Sequence, residues 1–321
     1  MKIGFYIKWD KYSLYSKANV IGEELLGESL CRALKKLPEV SDAQLYAPNY
    51  MPDDLLDVMI YLNDIEINNR WAKKNIIYFL NDYGPENENI LRKFQKIGYD
   101  GYIFFSQQLL EEHQALGHKG IFLPFGVDLG LFYPREKEDK YNFEVSYVGN
   151  DIKGEDRIMR YLYPATKYNF GLFGNWKIPQ ARFHFWRNFK QLPPYKKKFE
   201  KLSKGKIPQE KLPILYSSAK INLNCTLQSF VVWKVINLRI YEILACKGFL
   251  ISDRVASAEK ELEGGLVFTE GGDDLIKKID YFLKNKEERE SIAQRGYEYV
   301  ITHASIEARA KELYKYVRSL K

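Results

Sequence analysis

The sequence predicts an α/β protein made of two doubly wound domains that face a cleft, and three observations lead to that class. Short apolar runs alternate with segments of helical periodicity. The alternation breaks at the charged, proline-containing stretch Tyr133–Lys140, which has the composition of a linker, and then restarts. The strands read as continuous apolar runs rather than alternating ones, the signature of a parallel sheet covered on both faces. A chain of 321 residues also has the length of two ordinary domains.

Taken in order, Lys2–Trp9 is the first β-rich run. Val20–Leu37 follows as a helix, its Ile21, Leu25, Leu26, Leu30, Ala33, Leu34 and Leu37 recurring at helical spacing until Pro38 stops it. Ala43–Ala47, Val58–Leu62, Asn75–Leu80, Gly101–Ser106 and Gly120–Phe125 are further strands. Helices are expected near Glu86–Ile97 and Gln107–Leu116. After the break come strand Phe143–Val148, helix Asp156–Tyr163 and strand Tyr168–Phe173. A Lys- and aromatic-rich stretch to Gly205 carries no clear period. Helix Gln209–Ala219, strand Lys220–Asn224, helix Asn237–Cys246, strands Gly248–Ser252 and Leu266–Phe268, and helix from Asp273 onward complete the pattern. The domains therefore span 1–140 and 141–302, with 303–321 as a terminal helix.

Composition removes several classes. With 45% apolar and 15% aromatic residues the chain is neither disordered nor short of core material. No apolar run approaches the roughly 20 residues of a membrane span, and no secretory apolar segment follows the start. Cys31, Cys225 and Cys246 are odd in number and sit in apolar contexts, so buried free thiols and a cytoplasmic setting are expected. The four histidines are scattered, and no metal site is expected. The net charge of +7 is uneven: residues 1–140 carry 17 basic and 21 acidic side chains, residues 151–220 carry 16 and 5. That asymmetry points to an anionic partner for the second half, or else to a solvated lysine face.

No GxGxxG follows a strand, and GxxxxGK[ST], GxSxG and Asp-x-Asp are absent, which disfavours nicotinamide, P-loop and nucleophile-elbow chemistry. One segment stands apart. Asn237 to Asp253 reads as a helix, a glycine stop at Gly248 and a buried strand. Arg239 and Glu242, three apart, share a face near the helix N-terminus, where unpaired N–H groups and the dipole suit phosphate. A guanidinium adds a bidentate phosphate contact and a carboxylate accepts paired hydroxyls. The same spacing equally suits a simple intrahelical ion pair.

This segment resembles the C-terminal signature of GT-B glycosyltransferases, in particular the group related to the spore maturation protein CgeB and, more distantly, glycosyltransferase family 4. Further similar stretches occur in order: Leu123–Asp128 with Phe132–Pro134, Ser146–Asn150, Phe173–Trp176, Tyr216–Asn224, and His303 with Arg309. The resemblance implies two Rossmann-like domains, the first for an acceptor and the second for a nucleotide-sugar donor of UDP or GDP type, with the last helix crossing back to the first domain. It implies Glu242 on the ribose hydroxyls, Arg239 near the diphosphate, Asn237 among the donor-binding residues, the Gly149-Asn150 turn facing phosphates or sugar, and Gly174 bordering the base. It also implies transfer without metal or other cofactor. Two departures stand out: Lys234 occupies the place of a second acidic residue eight positions before Glu242, and Asn150-Asp151 follows Gly149 where an arginine is often found, with Lys153 and Arg157 as nearby substitutes.

On the acceptor side, Asp82 follows an apolar strand, where a general base for an inverting displacement would sit; it equally begins a turn or caps the next helix. Trp176, His184 and Trp186 suit either a sugar or base pocket or the core. The expected reaction is glycosyl transfer to a hydroxyl of a glycan, lipid or protein, with contact to an anionic membrane surface. The alternatives are a nucleic-acid-directed transferase or a non-catalytic nucleic-acid-binding protein using the basic 151–220 segment.

Overall fold

A computed structural model describes residues 1–13, 22–80, 87–178 and 192–320, apart from the side chains of 87–91. The chain forms two compact units. One comprises Met1–Asp128, Val232–Ile236 and His303–Lys321; the other comprises Leu129–Val231 and Asn237–Thr302.

The first unit runs β1 (Lys2–Tyr6), α1 (Gly22–Leu34), β2 (Asp42–Tyr46), β3 (Leu56–Leu62), β4 (Ala72–Phe79), α2 (Asn87–Ile97), β5 (Gly101–Phe104), α3 (Gln107–Ala115) and β6 (Gly120–Phe122). All strands are parallel, in the order β2-β1-β3-β4-β5-β6. In β3 and β4 the runs Val58–Leu62 and Asn75–Phe79 are buried throughout, which is why both read as unbroken apolar stretches. Helix α1 is shorter than its period suggests. Lys36 N–H and Leu37 N–H bond three residues back, to the carbonyls of Ala33 and Leu34, tightening the last turn before Pro38.

The second unit runs β7 (Val145–Val148), α4 (Glu155–Tyr161), β8 (Phe170–Phe173), α5 (Tyr195–Leu202), α6 (Leu212–Ser218), β9 (Ile221–Asn224), α7 (Gln228–Val232), α8 (Leu238–Ala245), β10 (Leu250–Asp253), α9 (Ala256–Glu261), β11 (Val267–Thr269), α10 (Gly272–Lys284) and α11 (Lys286–His303). Its parallel sheet has the order β11-β10-β9-β7-β8. Val145, Leu172, Ile221 and Ile251 from the strands meet Ile158 of α4 and Leu275 and Ile279 of α10 in one core. Helices α5, α7 and α9 are additions to the elements expected from sequence.

Leu129–Lys140 belongs to the second unit and is not a free linker. Arg135 N–H donates to Ser217 Oγ at 3.0 Å, Glu138 N–H to Ser218 Oγ at 3.0 Å, and the buried Phe132 ring stacks on Tyr216. The C-terminal helix α12 (Ile306–Ser319) belongs to the first unit. Ile306 N–H donates to the Val127 carbonyl, Arg309 Nε to the Phe125 carbonyl, and Tyr316 Oη accepts from Tyr102 N–H. Cys31, Cys225 and Cys246 are buried free thiols. Among the described residues no helix is long and apolar enough to cross a membrane.

Candidate functional site

In the second sheet the chain leaves β7 on one side for β8 and returns on the other for β9. The carboxyl ends of β7 and β9 therefore flank the point where strand order reverses, the place where open α/β sheets hold ligands. Gly149 and Asn150 follow β7 there, Cys225 and Thr226 follow β9, and α8 begins beside them.

A buried polar network builds the floor. Asp253, at the end of β10, is almost fully enclosed and accepts from Thr226 N–H and Thr226 Oγ1 at 3.0 Å each. It also forms an ion pair with Arg157 of α4. Burial pushes the Asp253 carboxyl up, and the Arg157 charge opposes that rise. Arg157 Nε donates to the Thr226 carbonyl at 2.8 Å and Nη1 to Gln228 Oε1 at 3.0 Å. Arg157 thus ties α4 to β9, α7 and β10, and it does not take the place of the missing glycine-adjacent arginine. Breaking such a pair by removing one partner costs about 3–5 kcal/mol.

Asn237 connects this floor to α8. Its Oδ1 accepts from Ile240 N–H at 3.3 Å as the N-cap, while Nδ2 donates to Asn224 Oδ1 at 3.1 Å and Thr226 Oγ1 at 3.3 Å. With the cap so held, Arg239 and Glu242 project from one face of α8, both half-buried. Arg239 lies beside the hydroxyls of Tyr147 on β7 and Tyr216 on α6. Arg239 Nε, Tyr147 Oη and Tyr216 Oη are all buried and close no hydrogen bond of acceptable geometry. Buried polar groups are normally satisfied, so this guanidinium nitrogen and the two tyrosine hydroxyls beside it form a cradle suited to a polar ligand.

Two titrations frame the cradle. Burial raises the Glu242 carboxyl to about 7, with the Arg239 charge holding it back. Burial lowers the half-buried Lys153 to about 8, and the positive charge of Arg239 adds to the fall. Lys153 therefore shares the electrostatic surroundings of Arg239.

The Gly149-Asn150 turn is pinned to its neighbour after β8. Gly149 N–H donates to the Phe173 carbonyl and Asn150 Oδ1 accepts from Asn175 N–H, each at 2.9 Å. Gly174 has φ of 129°, and a Cβ on it would lie 2.0 Å from the Gly149 carbonyl oxygen. Only glycine allows the two turns to lie so close. Asp151 is occupied by Tyr195 Oη at 2.7 Å and by Lys196 of α5.

The remaining sequence candidates lie elsewhere. Lys234 is exposed, with φ of 54°, in the segment assigned to the first unit; there Trp233, Val235 and Ile236 are buried and Ser106 Oγ donates to the Trp233 carbonyl. Asp82, His184 and Trp186 lie outside the described residues. Trp176 is a core residue, edge-on to Tyr147 and Phe199. Among the described residues no three His, Cys, Asp or Glu side chains converge as metal ligands. Tyr147 and Tyr216 are the site residues to which sequence reasoning gave no role.

Residues 159–315 match the glycosyl transferase-like family model, a span that includes Gly174 and all of α8. The fold is similar to sucrose-phosphate synthase from Thermosynechococcus elongatus (14% identity, 100% and 99% of the two chains, TM-score 0.66). It is also similar to Anabaena HepE in complex with UDP-glucose (13%, 99% and 100%, TM-score 0.66). A third similar structure is T4 phage BGT with its UDP-glucose substrate (14%, 99% and 99%, TM-score 0.62). A search of curated proteins finds no match. The chain thus has two parallel-sheet units of GT-B architecture and carries a glycosyl transferase-like domain over residues 159–315.

Proposed function

We propose that the protein transfers a sugar from a UDP-type nucleotide sugar to an acceptor hydroxyl, with the donor held at the carboxyl ends of β7 and β9. The observation that carries this reading is the cradle of unsatisfied buried groups, Arg239 Nε, Tyr147 Oη and Tyr216 Oη, one helical turn from the Glu242 carboxyl. A diphosphate satisfies the guanidinium and the tyrosine hydroxyls. Ionised Glu242 accepts the two ribose hydroxyls. Lys153 and Arg239 then stabilise the charge that gathers on the departing diphosphate, which makes the transfer independent of metal. Gly149 and Asn150 border the phosphates or the sugar, and Gly174 the base. The Asn237–Asp253 segment supports a place near the CgeB-related branch, and the UDP-glucose complexes of HepE and T4 phage BGT support the nucleotide.

A melting-temperature screen of nucleoside diphosphates without added metal tests the reading. UDP at about a hundredfold excess over its Kd adds roughly 2.7 kcal/mol of apparent stability. Uridine, which lacks the diphosphate, should add far less. Equal responses to uridine and UDP would remove the diphosphate assignment.

A further inference from the structure

A second cleft, of about 680 Å³, lies in the same unit at the amino ends of β9 and β10, opposite the carboxyl ends where Cys225 and Thr226 sit. The segment Pro134–Asn142 forms one wall, held by Ser217 Oγ and Ser218 Oγ, and the start of α11 forms another. Six cations line it (Arg135, Lys137, Lys220, Lys247, Lys286 and Arg289) against three carboxylates (Glu138, Asp139 and Glu290).

Among the described residues, much of that charge has no ion-pair partner. Lys220 and Lys247 are exposed and make no ion pair among the described residues, and Lys247 holds φ of 55°, an unfavourable conformation for a side-chain-bearing residue. Lysines after α6 and α8 would suit the negative ends of those helices. Arg289 has no such explanation. It is 9% exposed, lies in the first turns of α11 where the dipole opposes a cation, and donates from Nη1 to the Phe282 carbonyl. No carboxylate lies within ion-pair distance of it among the described residues. A buried charge without a counter-charge is costly, and an anion in the cleft removes that cost. The carboxylates of Glu138 and Asp139 would repel a bare polyphosphate but accept hydroxyl protons, and the Asn142 amide can donate or accept.

We propose that this cleft binds a phosphorylated sugar or polyol, with its phosphate on Arg289, Lys220 and Lys247 and its hydroxyls on Glu138, Asp139 and Asn142. The proposal does not depend on the donor reading. Because α8 carries Arg239 in its first turn and Glu242 at its middle, and meets the cleft through Cys246 and Lys247 at its end, an occupant touches the element that presents the proposed donor site.

Melting temperatures of the full chain with glucose 6-phosphate, glucose and inorganic phosphate, each at millimolar concentration, test it. The exposed pair is replaced together, Lys220→Ala with Lys247→Ala, because Arg289 also holds the end of α10. Glucose 6-phosphate is expected to raise the wild-type melting temperature by roughly 5 °C at a hundredfold excess over Kd. Glucose should leave it unchanged, inorganic phosphate should act more weakly, and the double variant should lose the response while melting at the wild-type temperature. No rise, an equal rise in the double variant, or an equal effect of glucose would overturn the site. Inorganic phosphate as effective as glucose 6-phosphate would overturn the sugar-phosphate assignment.

Discussion

Glu242 and Lys153 approach neutrality from opposite sides, and this gives donor binding a predictable pH profile. The raised carboxyl ionises only as pH climbs through about 7, and the lowered ammonium loses its proton as pH climbs through about 8. If the carboxylate takes ribose and the ammonium takes phosphate, UDP affinity rises through the first value and falls through the second. Calorimetric titrations across pH 6–9 should trace that bell, and Glu242→Gln should flatten its acid limb; a pH-independent affinity would contradict both roles. Some of this site is legible in sequence, since Arg239 and Glu242 are one helical turn apart on a segment with clear start and stop signals. The tyrosine hydroxyls are not, because Tyr147 and Tyr216 reach Arg239 only through folding of β7 and α6 against α8. Arg157 misleads for a related reason: its carboxylate partner, Asp253, lies 96 positions away. Asp128 is likewise held by an element distant in sequence, accepting from Arg32 and Ser29 of α1.

Strands and helices with strong periodicity were readable, whereas short elements and turn packing were not. Helices α7 and α9 have five and six residues, too few for a helical period to emerge. In α5, Tyr195 and Phe199 are buried at a spacing of four, but the intervening lysines mask the pattern. The contact between the turns after β7 and β8 has no local signature beyond its glycines. Its cost is nevertheless specific. Gly174→Ala would place a methyl against the Gly149 carbonyl and force a side chain into a conformation that disfavours it. We expect a loss of roughly 3 kcal/mol or more, read as a lower denaturation midpoint with an unchanged m-value. An unchanged midpoint would mean that the two turns do not meet as described.

At the scale of the molecule, alternation of apolar runs and helices sufficed to identify two doubly wound units, but their membership is interleaved along the chain. Val232–Ile236 leaves the second unit for the first and the chain then returns at Asn237, a crossing that no change in composition marks. The basic excess of residues 151–220 is similarly divided by folding. Arg157, Arg160 and Lys196 are paired with Asp253, Glu270 and Asp151, so they serve the second unit's own structure. The central claim is that one nucleotide diphosphate binds each chain, between the ends of β7 and β9 and against α8. Isothermal titration of UDP into the wild type and the Glu242→Ala variant tests it most directly. Loss of a hydrogen-bonding charge costs about 1.5–3 kcal/mol, so the account predicts one UDP per wild-type chain and affinity lower by roughly ten- to a hundredfold in the variant, with the melting temperature of the unliganded variant no lower than that of the wild type. Equal UDP affinity in the two proteins would contradict it.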